Sequence, residues 1–407
     1  MKTERLYYQD PYLREFTATV TDCVQKKDAY ILTLDQSAFY PTSGGQPHDE
    51  GTLDDGVTVA KVSDVFVKDD VIYHQADRPI KIGALVTGRI DWERRFDHMQ
   101  QHGGEHLLAG SAFHLFGGVT HGLHVGLEES TIDITMPDGR TRLEKDEIIC
   151  LENLVNERIQ SNSPIRCWFP SEEELKSLPL RKPSTISQDV RVVAAGDFEM
   201  VPCGGTHPQS TGELGLLKIL STAPAHEKMR ISFVVGKRAI DYFQRTLSSL
   251  DLTAQMLSSH MTEVPDAVAR LQNQLKEKSL AEKKLKEELA GHLLEEAKQK
   301  ATRLNGCQLI FFQLQSDEIL QKIIAEQVLK SSGLVAIVSR EEENGQYPLY
   351  VCSEDVKLDM VALLRASGVR GGGRSEYASG RAEKEADLLL KASSILKEQQ
   401  SKKASTC

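Results

Sequence analysis

Two short motifs, His102-Gly-Gly-Glu-His106 and Cys203-Gly-Gly-Thr-His207, lie far apart in the chain, and each holds two metal-capable donors separated by three residues. On a helix, positions i and i+4 share one face about a turn apart, so His102 and His106 can aim both imidazoles at a single ion. Cys203 and His207, in a glycine-rich loop, would complete the set. A thiolate and three imidazoles are the soft and borderline donors that tetrahedral zinc prefers, so the cofactor expected from the pairing is Zn2+. Either pair alone has a plainer reading, as surface or core histidines or as a small buried cysteine. Glu105 sits inside the first motif and is read either as a general base for a water molecule near the ion or as an exposed helix carboxylate. Gly103 and Gly104 each cost a helix interior about 0.8–1 kcal/mol relative to alanine. Their presence suggests that room for a substrate group matters there more than helix stability.

These residues need elements to hold them. The pattern changes to a helix at Asp91 that runs to about Leu115 and carries the first motif. Strands are expected at Thr131–Thr135, Val190–Ala194, Leu214–Leu220 and Arg230–Val235, with a helix over Leu143–Asn162; the last two strands would brace the Cys203 loop. Upstream, Thr17–Thr21, Ala29–Leu34, Val57–Ala60 and Val71–Tyr73 are short β-branched or aromatic stretches divided by turn residues, for which a small barrel is the natural closure. Within it lies Phe39-Tyr-Pro-Thr-Ser-Gly-Gly-Gln46, followed by Asp49 and Gly51. Its glycine pair is either a tight turn at positive φ or a close backbone approach to a ligand, with Gln46 as a polar finger. Residues 236–303 read as long and helical, with Asp266–Arg303 dominated by Lys, Glu, Leu and Ala and a turn at Thr262–Pro265. An arm or helical hairpin is expected there. Beyond it, Leu309–Phe312, Gly333–Val338 and Tyr347–Val351 read as strands, and Asp317–Lys330, Lys357–Ser367 and Arg381–Lys397 as helices. The run Gly371-Gly-Gly-Arg374 falls between the last two helices, as a phosphate cradle or a flexible loop.

Composition bounds the whole. A chain of 407 residues, 40% hydrophobic and 27% charged, is too long for one ordinary core and has a soluble globular balance. No apolar run approaches the roughly 18 residues of a membrane span, and the first residues have no signal-peptide core, so a cytoplasmic location with no membrane partner is expected. Seven scattered cysteines make no disulfide framework and leave Cys203 free for a metal. A net charge of -10 argues against indiscriminate nucleic-acid binding but leaves room for a local basic face.

The string from Asp91 through His102 and His106 to Leu108, the Cys203–His207 loop and the Phe39–Gln46 segment resemble the freestanding alanyl-tRNA editing proteins, the AlaX family. Gly368-Val-Arg-Gly-Gly-Gly-Arg374 resembles the DHHA1 domain that ends the long form of that family and alanyl-tRNA synthetase. The motifs follow the family order over nearly the whole chain. The resemblance implies an α+β multidomain protein: an N-terminal small β-barrel over residues 1–90, a zinc-binding α+β editing core over 91–245, a helical arm over 246–304 and a C-terminal DHHA1-like α/β domain over 305–407. It implies an ATP-independent aminoacyl-tRNA deacylase, a carboxylic ester hydrolase acting in trans on tRNA(Ala) mischarged with serine or glycine. It places zinc on His102, His106, Cys203 and His207. Family members commonly carry Thr or Ser, thought to help recognise serine, where this chain has Gly103, and often Gln where it has Glu105. Any preference for serine over alanine would therefore rest on the metal, Glu105 or water.

Two other readings compete. His102 to His106 also satisfies His-x-x-Glu-His, the inverted zinc-peptidase signature, which needs a further glutamate ligand and leaves the Cys203 motif unexplained. A non-catalytic tRNA-binding protein with a structural zinc is the second, because four-ligand sites are typically structural. For the tRNA partner, Arg94, Arg95, Lys228, Arg230, Lys237 and Arg238 flank the core, and Arg365, Arg370, Arg374 and Arg381 surround the glycine run. A homodimer contact, if formed, is expected through the arm or the C-terminal domain.

Overall fold

The computed structural model describes residues 2–183, 189–304, 307–315, 317–342, 347–354 and 359–382, with residues 394 and 398. The chain divides into two compact units, Met1–Leu252 and Thr253–Cys407, and mixes α and β structure in both.

In the first unit a closed barrel runs through Glu15–Lys26, Ala29–Leu34, Val71–Ala76, Val59–Lys68, Gly51–Asp54 and Leu85–Ile90 before returning to the first strand. Every pairing is antiparallel. The strand Val59–Lys68 shows how sequence specifies the wall. Ala60 and Val62 point inward in alternation with polar neighbours, a register shift between Val62 and Asp64 moves the phase by one, and Val65 then points inward again. Phe39 and Tyr40, from the segment between strands, are fully buried in the barrel core, against Phe16 and Tyr7 respectively. Those two rings anchor the segment that carries Gln46. Its glycine pair is a tight turn: Gly44 and Gly45 lie at φ +59° and +83° between Ser43 and Gln46, which exchange backbone hydrogen bonds.

The central helix spans Trp92–Phe116. Asp91 caps it by accepting from the Arg94 N–H at 3.1 Å, and Gly117 ends it in the left-handed region. Between His98 and Ala112 every residue but Glu105 is buried. On its far side lies a four-stranded antiparallel sheet ordered Leu217–Ala225, Lys228–Val235, Ser130–Thr135, Val119–Val125. Helix Lys145–Gln160 adds Leu151, Val155 and Ile159, one stripe at i, i+4 and i+8, to the same core as Leu107, Leu108, Ile132 and Phe233. A smaller antiparallel sheet of Ile165–Trp168, Val192–Ala195 and Glu199–Pro202 delivers the Cys203 loop.

The second unit has a six-stranded sheet ordered Thr302–Leu304, Cys307–Gln315, Leu334–Glu341, Tyr347–Ser353, Tyr377–Ala382, Arg370–Arg374. Helix Glu318–Val328 and the end of helix Val264–Gln299 share one core with the sheet, and helix Met360–Ala366 another. The turn expected at Thr262–Pro265 is a short 3-10 helix, Met261–Glu263, before the helix that begins at Val264. Two expectations are corrected. The glycine run is no loop between helices: Arg370–Arg374 is an exposed edge strand paired with Tyr377–Ala382. Arg381 and Ala382, read as a helix start, end that second strand, and most of the rest of that expected helix lies outside the described residues. Among the described residues no helix is long and apolar enough to cross a membrane.

Candidate metal centre

The fold brings the two motifs together. The ligating atoms of His102, His106, Cys203 and His207 all lie within 4.8 Å of one another. Cys203 Sγ is 3.3 Å from His102 Nε2 and 3.4 Å from His207 Nε2. Around an ion with bonds of about 2.0–2.1 Å to nitrogen and 2.3 Å to sulfur, tetrahedral donors fall at about this spacing. The surroundings also suit a cation. Both ring nitrogens of His106 are buried with no hydrogen-bond partner, a cost of roughly 1–3 kcal/mol each that a metal bond would remove at one of them. Burial holds the imidazoles in the neutral, ligating form, pushing His102 down to about 3 and His106 and His207 well below their ordinary value. It pushes the Cys203 thiol up to about 12, and a cation is what would draw that proton off.

Gln46 is the support of the first histidine. Its Oε1 accepts from His102 Nδ1 at 2.8 Å and from the Thr206 N–H at 3.2 Å, while its Nε2 donates to Thr206 Oγ1 at 2.8 Å. The network assigns the proton of His102 to Nδ1 and leaves Nε2 free for a metal. The polar finger expected at Gln46 is therefore fully buried behind His102 and does not line the cleft. A second support is Arg191, whose Nη1 donates to the carbonyls of Cys203 (3.0 Å) and Gly205 (2.8 Å) while Cys203 N donates to Arg191 O at 2.9 Å. Gly205 is required by close approach, because a Cβ there would fall 2.2 Å from His102 Cε1.

A cleft of about 250 Å3 opens beside three of the donors, His102, His106 and Cys203, and is lined also by Tyr40, Glu105, Thr120, Leu123 and Arg181. Burial pushes the Glu105 carboxyl up to about 7, against the pull of Arg181. Arg181 is itself held by Glu199, to whose two oxygens its Nε donates at 2.8 and 2.9 Å, and by Thr120 Oγ1 at 3.1 Å. Gly103 is placed elsewhere. A Cβ on it would meet Leu214 at 2.7 Å and Pro208 at 3.5 Å, and Gly104 faces Val235, so the room expected at these glycines is filled by the protein's own side chains.

Most of the basic residues expected to flank the core are engaged. Arg95 is fully buried, in an ion pair with the fully buried Asp49, and donates to the carbonyls of Pro11 and Ala38. This corrects its expected role at the surface. Arg230 pairs with Asp133, Lys237 with Asp241, Arg238 with Asp97, and Arg94 with Glu50. Sequence reading missed Arg191 and Thr206. A lone arginine inside the apolar run Val190–Ala195 was the available sign of a buried charge held by hydrogen bonds.

Residues 4–94 match the class II (A) tRNA synthetases and residues 190–231 the second additional domain of threonyl and alanyl tRNA synthetases. The alanine–tRNA ligases of Thermococcus kodakarensis and Pyrococcus furiosus are each 32% identical over 394 residues, covering 93% of this chain and 42% of theirs. That of Haloquadratum walsbyi is 31% identical over 410 residues, covering 97% and 44%. The chain thus spans less than half the length of these relatives. By sequence it is alanyl-tRNA synthetase-like across nearly all of its own length.

Proposed function

We propose that this protein hydrolyses the ester bond of tRNA(Ala) mischarged with serine or glycine, using a zinc ion held by His102, His106, Cys203 and His207. The observation that carries the reading is the convergence of three buried histidines and the half-buried Cys203 beside a small cleft that also contains a carboxylate, in a chain related to alanine–tRNA ligases. Bound there, zinc would anchor the amino-acid end and polarise the ester carbonyl. Glu105 borders the same cleft, and in this reading it takes a proton from the attacking water as the water oxygen bonds to the ester carbon. As the carbon–oxygen bond to the ribose breaks, Glu105 returns that proton to the leaving oxygen. Gln46 and Arg191 act through the donors they hold. Gly103 gives packing clearance to Leu214, so discrimination among small amino acids is assigned to the cleft wall.

A non-catalytic protein with a structural zinc is favoured by one observation, that four protein donors leave no open position on a tetrahedral ion. The peptidase reading lacks its glutamate ligand, because the cluster found among the described residues holds three histidines and a cysteine. Deacylation of Ser-, Gly- and Ala-tRNA(Ala), with and without chelator, separates them. We expect chelator-sensitive hydrolysis of the first two. Cys203→Ala should lose metal and fall by more than about 100-fold, beyond the cost of a lost supporting hydrogen bond. Full zinc content with full activity in that variant would end this proposal.

A further inference from the structure

The Cys203 loop has a second side. Val201, Pro202, Cys203, Gly204 and Lys182 wall the 250 Å3 cleft and also a larger cavity of about 730 Å3. The smaller space suits an amino acid; the larger falls in the range of about 300–1,000 Å3 typical of ligand sites. Its charge is opposite in sign to the chain as a whole: Lys2, Arg5, Lys182 and Arg191 line it against Asp70 and Asp189, in a protein of net charge -10. It also holds an aromatic pair. Phe169 is 51% exposed, and its ring meets that of Tyr8 edge-on at 5.7 Å. The Tyr8 ring is itself approached by the guanidinium groups of Arg191 at 4.9 Å and Arg5 at 5.8 Å. Asp70 pairs with Lys2 at 2.7 Å and Arg5 at 3.0 Å, which orients both cations while neutralising only part of their charge.

An exposed ring beside several cations, adjoining a hydrolytic cleft, is the arrangement used to hold single-stranded nucleic acid, because any base can stack on a ring while cations follow the phosphates. The geometry points to this cavity as the seat of the unpaired 3′-terminal nucleotides of the tRNA, with the terminal adenine on Phe169 and its preceding phosphates facing Lys2, Arg5 and Lys182. The ester on the terminal ribose then passes over the Cys203–Gly204 wall into the metal cleft. This rests on the reading of the chain as an aminoacyl-tRNA deacylase, and it adds how the reacting end is delivered.

The test uses the full chain loaded with zinc and a short RNA ending in CCA, with 2-aminopurine replacing the terminal adenine so that stacking quenches its fluorescence. The wild type should quench the probe. Phe169→Ala, at a half-exposed position, should weaken binding roughly 5- to 150-fold with zinc content unchanged, whereas Phe169→Tyr should stay within about twofold. Lys2→Gln with Arg5→Gln should make the salt dependence shallower by about 0.7 in log–log slope for each phosphate no longer neutralised. No quenching by the wild type, or wild-type affinity in Phe169→Ala, would overturn the assignment. Hydrolysis is read separately. A wild type that binds the probe but deacylates no mischarged tRNA would refute the proposed function and leave the nucleotide seat standing; active Phe169→Ala with unchanged KM on tRNA would refute the seat alone.

Discussion

Gln46 illustrates how much of the centre is decided by a residue that cannot touch a substrate. Its carboxamide fixes the tautomer of His102 and ties it to Thr206, so the helix donor and the loop donor are set by one planar group. Gln46→Ala should keep the four donors yet lower zinc affinity about 10- to 100-fold, read by competition with a chelator of known affinity. Wild-type affinity would show that the loop positions His102 without it. Glu105 contrasts with it, since it borders the cleft. Glu105→Gln should retain zinc and lower kcat by about 100- to 10,000-fold if the carboxylate carries the proton. A variant that loses less than about tenfold would remove Glu105 from proton transfer.

At the scale of elements, the central helix is joined to the barrel by Arg95 and Asp49. Asp49 also accepts from the Tyr40 N–H at 2.6 Å, so the pair orients the segment that carries Gln46. Removing one partner strands a buried charge. Asp49→Ala should therefore destabilise the fold by about 3–5 kcal/mol, measured by urea unfolding. The barrel holds a second buried polar group, His74, between Ser37 Oγ at 2.8 Å and the Leu32 carbonyl at 3.2 Å, and burial pushes it down to about 4. In the unfolded chain it would titrate near 6.5, so below that pH the unfolded state takes up a proton that the folded state refuses. Stability from this residue is complete above about pH 6.5 and is lost as pH falls toward 4. Between pH 7 and pH 5 the wild type should lose about 2 kcal/mol more than His74→Gln. Equal losses would show that His74 is accessible to protons in the fold.

For the whole molecule, the four-donor cluster lies within Met1–Leu252, and the exposed arginines Arg365, Arg370 and Arg374 lie in the second unit. A chain ending at Leu252 should fold, hold zinc, and bind tRNA more weakly with a shallower salt dependence, as fewer phosphates are neutralised. Unchanged affinity and slope would remove the second unit from tRNA recognition. Of the basic residues expected to flank the core, Arg95 is buried with Asp49 and unavailable to a phosphate, while Arg94, Arg230, Lys237 and Arg238 each share their charge with a neighbouring carboxylate. The groove beside Phe169 and the exposed arginines of the second unit are two surfaces where phosphate contacts are expected.

The sequence by itself singled out the four candidate donors, because ligand chemistry needs particular side chains and the i, i+4 spacing puts two of them on one helix face, and the fold gathers them into one cluster. It also determined the barrel, whose strands keep a period of two, and the short turn before Val264. Tertiary structure alone decided the surroundings of the residues near the four donors. Gly103 looked like space for a substrate because a glycine reports that something comes close without saying what; Leu214 is what comes close. Arg95 looked like a surface cation because its partner, Asp49, is far away in the chain. The glycine run at 371–373 became an edge strand because pairing with Tyr377–Ala382 satisfies its backbone, a non-local choice that composition cannot announce. The groove behind Cys203 is assembled from residues near 5, 70, 169 and 191, and the packing of the barrel against the small sheet is what makes it one cavity.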